Sequence, residues 1–195
     1  MTFYPYHPSK GQRIQTDLKS VIADRSFLAY LEWDDPKAEN EDEVLALTDM
    51  PESGTLEVTD DISNPDFPRA LRIIGDTGDI TGDVVITGTN MADKEITETI
   101  ALNETTAVDG DKAFKTVTKI VLPERNAEDD KVSVGFCDKL GLPYRLERDT
   151  VISSYLNESR EASETVATDD DDVESNTIEL NSSLDGNKVG VYLIV

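Results

Sequence analysis

Residues 131–136 read Lys131-Val132-Ser133-Val134-Gly135-Phe136. Successive side chains of an extended chain point to opposite sides, so Val132, Val134 and Phe136 share one face and Lys131, Ser133 and Gly135 the other. Helical spacing would scatter the same three apolar residues around an axis. The signal repeats in Val-, Ile- and Thr-rich runs at 55–59, 70–75, 83–89, 95–102, 113–122, 150–156, 176–180 and 188–195. Val84 and Ile86 oppose Asp83, Val85 and Thr87, and Lys115 and Lys119 alternate with Phe114, Thr116, Thr118 and Ile120. Gly, Asn, Asp and Pro punctuate the runs, as in GDTGDITGD at 75–83 and NPDFPR at 64–69. This pattern predicts an all-β, antiparallel sandwich, Ig-like or jelly-roll-like. The apolar terminal run, 188–195, must be paired inside a sheet or by a neighbouring subunit.

Upstream the texture changes. Residues 1–11, MTFYPYHPSKG, combine aromatics with prolines and predict an extended arm. Leu18, Val21, Ile22, Leu28 and Leu31 allow a short amphipathic helix from near Asp17, with Ser26–Trp33 either helix or strand. DDPKAENEDE at 34–43 reads as a charged linker or exposed loop. The expected organisation is an arm and acidic linker over 1–45 and a sandwich over 46–195. An alternative ends the sandwich at 136 and gives 137–195 to completing strands or a second lobe. RNAEDD at 125–130 and residues 157–172 read as long loops, the second the more mobile.

Among 195 residues, 41 acidic side chains face 18 basic ones, a net charge of −23. That balance opposes phosphate-gripping contacts to nucleic acid and adsorption to anionic membranes. It suits a surface that stays hydrated at molar salt, or one that binds cations or a partner. No run of apolar residues is long enough for a transmembrane helix, and the first residues lack a secretory signal pattern.

Catalytic and metal chemistry finds little footing. His7 is the single histidine and lies between prolines, so a nucleophile–base pair has one candidate base, and no enzyme is expected. Cys137, the single cysteine, reads as a buried structural thiol. One Cys and one His cannot make a zinc site, and no phosphate-cradling Gly motif is present. Asp76, Asp79 and Asp83 are weak calcium candidates without EF-hand spacing; no cofactor is expected.

The blocks NPDFPRALRIIG, GDVVITGTN, ITETIALNETTAVDGDKAFKTVTKIVLP, VSVGFCDKLGLPYRL and VESNTIELNSSLDGNKVGVYLIV, in that order over about residues 60–195, resemble structural proteins of tailed viruses of bacteria and archaea. The resemblance implies a non-enzymatic virion protein, a head decoration or minor capsid protein made in the host cytoplasm and carried on the capsid surface. Its implied partners are the major capsid protein, other virion proteins and further copies of itself, with no nucleic acid and no membrane. The acidity suggests a halophilic host. A tail, baseplate or fibre component is the first alternative. A cell-surface carbohydrate-binding module is the second, and predicts a concave sheet face with aromatic platforms.

Phe3, Tyr4, Tyr6, Phe27, Tyr30 and Trp33 are half of the twelve aromatics, gathered in the first 33 residues. Aromatics dominate interface hot spots, so these six are the expected partner-binding residues. The same residues could equally cap the chain's own sandwich. If they bind a partner, deletion of 1–33 leaves the β-domain folded.

Overall fold

The alternation at 131–136 opens an eleven-residue strand in the computed structural model, which describes residues 13–15, 22–24 and 26–195. In chain order the strands are β1 (Arg13–Gln15), β2 (Ile22–Asp24), β3 (Leu28–Trp33), β4 (Asn40–Asp49), β5 (Leu56–Val58), β6 (Arg69–Gly75), β7 (Asp83–Thr89) and β8 (Glu95–Ala101). They continue as β9 (Val108–Phe114), β10 (Thr116–Leu122), β11 (Lys131–Gly141), β12 (Val151–Leu156), β13 (Ser159–Arg160), β14 (Glu164–Ala167), β15 (Thr177–Leu180) and β16 (Val189–Ile194). A 3-10 turn at Val173–Ser175 is the one helical element among the described residues. The fold is all-β, with every strand pairing antiparallel.

Two apolar cores result. The sheet β5-β10-β7-β8 faces β4, β6, β9 and the first half of β11 across Leu71, Ile73, Val84, Ile86, Phe114, Ile120, Val132, Val134 and Phe136. The second core holds Trp33, Leu140, Leu142, Ile178, Val189, Val191 and Leu193, between the far end of β11 with β15 and β14 and the sheet β13-β12-β16-β3. Strand β11 serves both, and its register against β6 shifts between Phe136 and Leu140. Within that irregularity the Cys137 carbonyl accepts hydrogen bonds from the fully buried Arg69, donated by Nε (2.8 Å) and Nη2 (2.5 Å).

Several expectations are corrected. Residues 40–49 form β4 rather than a linker: Asn40 Oδ1 accepts the amides of Asp42 and Glu43, and Val44 and Leu45 enter the first core. The expected break after residue 45 therefore falls inside a strand, and residues 28–33 supply an edge strand to the second core. Ile22–Asp24 pairs with Arg13–Gln15 as a hairpin, so no helix runs through it; the rest of the expected helix from Asp17 to Val21 lies outside the described residues.

Residues 157–172 contain β13 and β14 instead of one long loop. In β10 a register shift between Val117 and Lys119 changes parity, so Val117 joins Phe114 and Ile120 in the core while Thr118 is exposed. A bulge inserts one unpaired residue, which strict alternation cannot foresee. The terminal run is paired as expected, with β16 lying between β12 and β3.

Candidate functional site

Strands β3, β12 and β16 bury one face and leave the other open. Val189, Val191 and Leu193 point into the second core, so Tyr192 and Ile194 point outward. In β3, Trp33 points inward, and Leu28, Tyr30 and Glu32 share the outer parity. Register places Tyr192 opposite Tyr30 and Gly190 opposite Tyr155. The Tyr30 and Tyr192 rings lie 4.7 Å apart, tilted by 36°, and Tyr155 meets Tyr192 edge-on at 6.0 Å. Gly190 makes room for this arrangement, since a Cβ there would come within 2.9 Å of Tyr30 Oη.

The three rings line a shallow cavity of about 300 Å³ with Lys188, Gly190 and Glu158. Tyr30 Oη donates to Glu32 Oε2 at 2.8 Å, and Lys188 Nζ bridges Glu32 (3.1 Å) and Asp34 (3.3 Å). The Glu32 carboxylate raises the Tyr30 phenol above its ordinary value, while the Tyr30 hydroxyl and then Lys188 lower Glu32. Glu158 reaches the rim through a two-residue turn in which Asn157 and Glu158 both have positive φ, 48° and 65°. A turn with both central residues left-handed matches the twist of a hairpin, although Glu is strained there.

Apolar exposure is concentrated on this sheet. Of eight large hydrophobic residues exposed among the described ones, all but Leu47 belong to β3, β12, β16 or their ends. Leu28 is 63% exposed and Ile152 50%. The outer edge of β3 has no strand partner among the described residues, and its sequence, LAYLEW, carries no Pro or Lys to blunt it.

The expected binding residues separate. Phe3, Tyr4 and Tyr6 lie outside the described residues. Phe27 is exposed, its backbone tied to Val195 by two hydrogen bonds, and Tyr30 is on the open face. Trp33 is buried at 7% exposure, so its place is the chain's own core, a correction to its expected role. Tyr155, Glu158, Lys188 and Tyr192 were not expected. Strict parity in 188–195 sets Tyr192 and Ile194 opposite Val189, Val191 and Leu193, but a run apolar on both faces reads as doubly buried.

The acidic candidates are dispersed. Asp76 Oδ1 accepts the Lys131 amide, the Asp79 carbonyl accepts Asn126 Nδ2, and Asp83 opens β7. No group of three or more His, Cys, Asp or Glu able to hold a metal ion occurs among the described residues. No described helix is long and apolar enough to cross a membrane. Comparison with family models, curated proteins and solved structures finds no match to this chain.

Proposed function

We propose that the chain is a non-enzymatic structural protein of a virion, a head decoration or minor capsid protein of a tailed virus with a halophilic host. The observation that carries this reading is the contrast between an acidic body and one contiguous apolar, tyrosine-bearing sheet face beside an open strand edge. Contiguous exposed apolar surface marks an interaction site, and attachment to an assembled lattice stabilises that lattice by mass action. The order of strand-and-turn blocks over residues 60–195 points the same way. Purified particles provide the test: mass spectrometry should find this chain at tens to hundreds of copies, on the order of the lattice's own repeats. A handful of copies moves it to the tail or neck, and absence rejects the reading.

A carbohydrate-binding module is the second reading, favoured by the tyrosine trio itself. It predicts saturable binding of oligosaccharides to the isolated protein, lost in Tyr192→Ser.

A further inference from the structure

The open face of β3, β12 and β16 has the chemistry of a proline-recognition surface. Aromatic rings side by side on a sheet, rimmed by carboxylates, accept a polyproline II segment that carries basic residues. One stretch of this chain has that composition. Residues 1–16 include no Asp or Glu, although the chain has 41, and they carry Lys10 and Arg13 beyond Pro5-Tyr6-His7-Pro8. Pro5 and Pro8 share a side of a polyproline II helix at about 9 Å spacing. The ring-to-ring steps of 4.7 and 6.0 Å across the tyrosines make a ladder of comparable length.

We propose that this face binds residues 3–12 of a second copy of the chain, exchanged about a two-fold axis. The reach is sufficient. Pairing of Arg13 with Asp24 holds the arm's root close to Phe27 at the end of this sheet. From that corner the ten residues 3–12 span about 30 Å as polyproline II. Charge favours the contact, because two bodies this acidic repel each other, whereas an acid-free basic arm meets Glu158 and a Glu32–Asp34 pair that the single cation of Lys188 only half neutralises. A two-fold exchange would also set two β3 edges, unpaired among the described residues, alongside each other.

The inference rests on the structural reading above only in taking the molecule to work beside copies of itself. Its test uses the isolated full-length protein, so it can fail while particle copy number stands. Sedimentation at 1 M NaCl should show a dimer. Tyr192→Ser on the face, or Tyr4→Ser with Tyr6→Ser on the arm, should weaken it about tenfold or more while each variant stays folded, with the parent's far-ultraviolet circular dichroism. A photo-crosslinking residue replacing Tyr6, in an equal mixture of ¹⁵N-labelled and unlabelled chains, should join peptides containing Tyr155 or Tyr192 in mixed-isotope pairs. Same-isotope pairs alone would assign the arm to its own chain and overturn the proposal. So would a monomer at every concentration, a dimer indifferent to the arm substitutions, or crosslinks elsewhere.

Discussion

The guanidinium of Arg69 holds the Cys137 carbonyl with two of its nitrogens at the point where β11 passes from one core to the other. Its Nη1 donates to the Lys37 carbonyl (2.9 Å) and Asp66 Oδ1 (3.1 Å), Asp138 lies 3.4 Å from Nη2, and the Phe136 ring sits 4.3 Å below. The arginine thus pins together the turn before β4, the lead-in to β6 and the irregular middle of β11. Removing it strands a buried carbonyl and leaves Asp138 without its cation. Arg69→Ala is expected to cost about 3–5 kcal/mol, and Arg69→Lys most of that, because an ammonium cannot span the same acceptors. Urea unfolding followed by probes at both cores tests this; an effect below about 1 kcal/mol would show that the junction is not a cooperative unit.

The role of residues 28–33 can be tested by truncation. Strand β3 pairs with β16 over six residues, and Trp33 closes the second core. A chain starting at residue 26 should fold, whereas one starting at residue 34 should lose the second core. Trp33→Ala should cost about 3–5 kcal/mol. Near-ultraviolet circular dichroism of the two truncations decides it, and native signal from the shorter one would contradict the packing described.

Gly135 lets β4 lie against β11. A Cβ at this position would run into the Asn40 backbone carbonyl, which belongs to a strand and cannot swing aside. Gly135→Ala should therefore shift or detach the start of β4 and destabilise by about 2 kcal/mol or more. Gly190→Ala meets only the movable tip of Tyr30, so it should leave the thermal midpoint nearly unchanged and displace that ring. Equal effects at the two glycines would refute the distinction.

Much of this architecture is legible in the sequence, for a physical reason that also explains the misses. Alternation reports which face of a strand is buried, and it assigns Val84, Ile86, Val132, Val134 and Phe136 correctly. It fails where a bulge changes parity, at Thr118, and where polar side chains are held by backbone amides, as in β4. The 34–43 stretch looks like a linker because charge dominates its composition; residues 34–39 are indeed irregular, but 40–43 open β4, where backbone pairing and the neighbouring buried Val44 and Leu45 suffice. The tyrosine face is hidden for the opposite reason. Local pattern cannot show that three strands distant in sequence align Tyr30, Tyr155 and Tyr192.

Two carboxylates should give opposite pH signatures. Asp130 accepts amides from Ala127 (2.7 Å) and Asn126 (3.0 Å) and the Thr77 hydroxyl, and the Ala127 bond leads in holding it below its ordinary value. A lowered folded-state value means stability present above the unfolded pKa of about 3.8 and lost as pH falls through the folded value. Glu98 is raised, chiefly by burial, and its Oε2 has no hydrogen-bond partner. Its sign is reversed: burying it ionised weakens the fold as pH rises past about 4.5 through the folded value. Asp130→Ala should cost on the order of 2 kcal/mol at pH 7, and progressively less as pH falls below about 3.8. Glu98→Gln should flatten the fall in stability above pH 4.5. Urea midpoints across pH 3–8 read both, and a Glu98→Gln profile parallel to the parent would reject its assignment.

Salt should act on the whole surface at once. The ion pairs are mostly exposed, such as Lys115–Asp93 and Lys131–Asp49, and 18 basic residues cannot neutralise 41 acidic ones. Exposed pairs contribute little each, so unbalanced repulsion decides the sign. Raising NaCl from about 0.1 M to 1 M shortens the Debye length from about 10 Å to 3 Å, which screens that repulsion. The same screening weakens the individual pairs, but they are fewer and already close to water. The thermal midpoint should therefore climb with salt, and climb at the same rate in Lys131→Ala, because the lost pair is a minor contributor. A midpoint that falls with added salt would mean that specific pairs, rather than net charge, dominate, and would remove the physical basis for a halophilic setting.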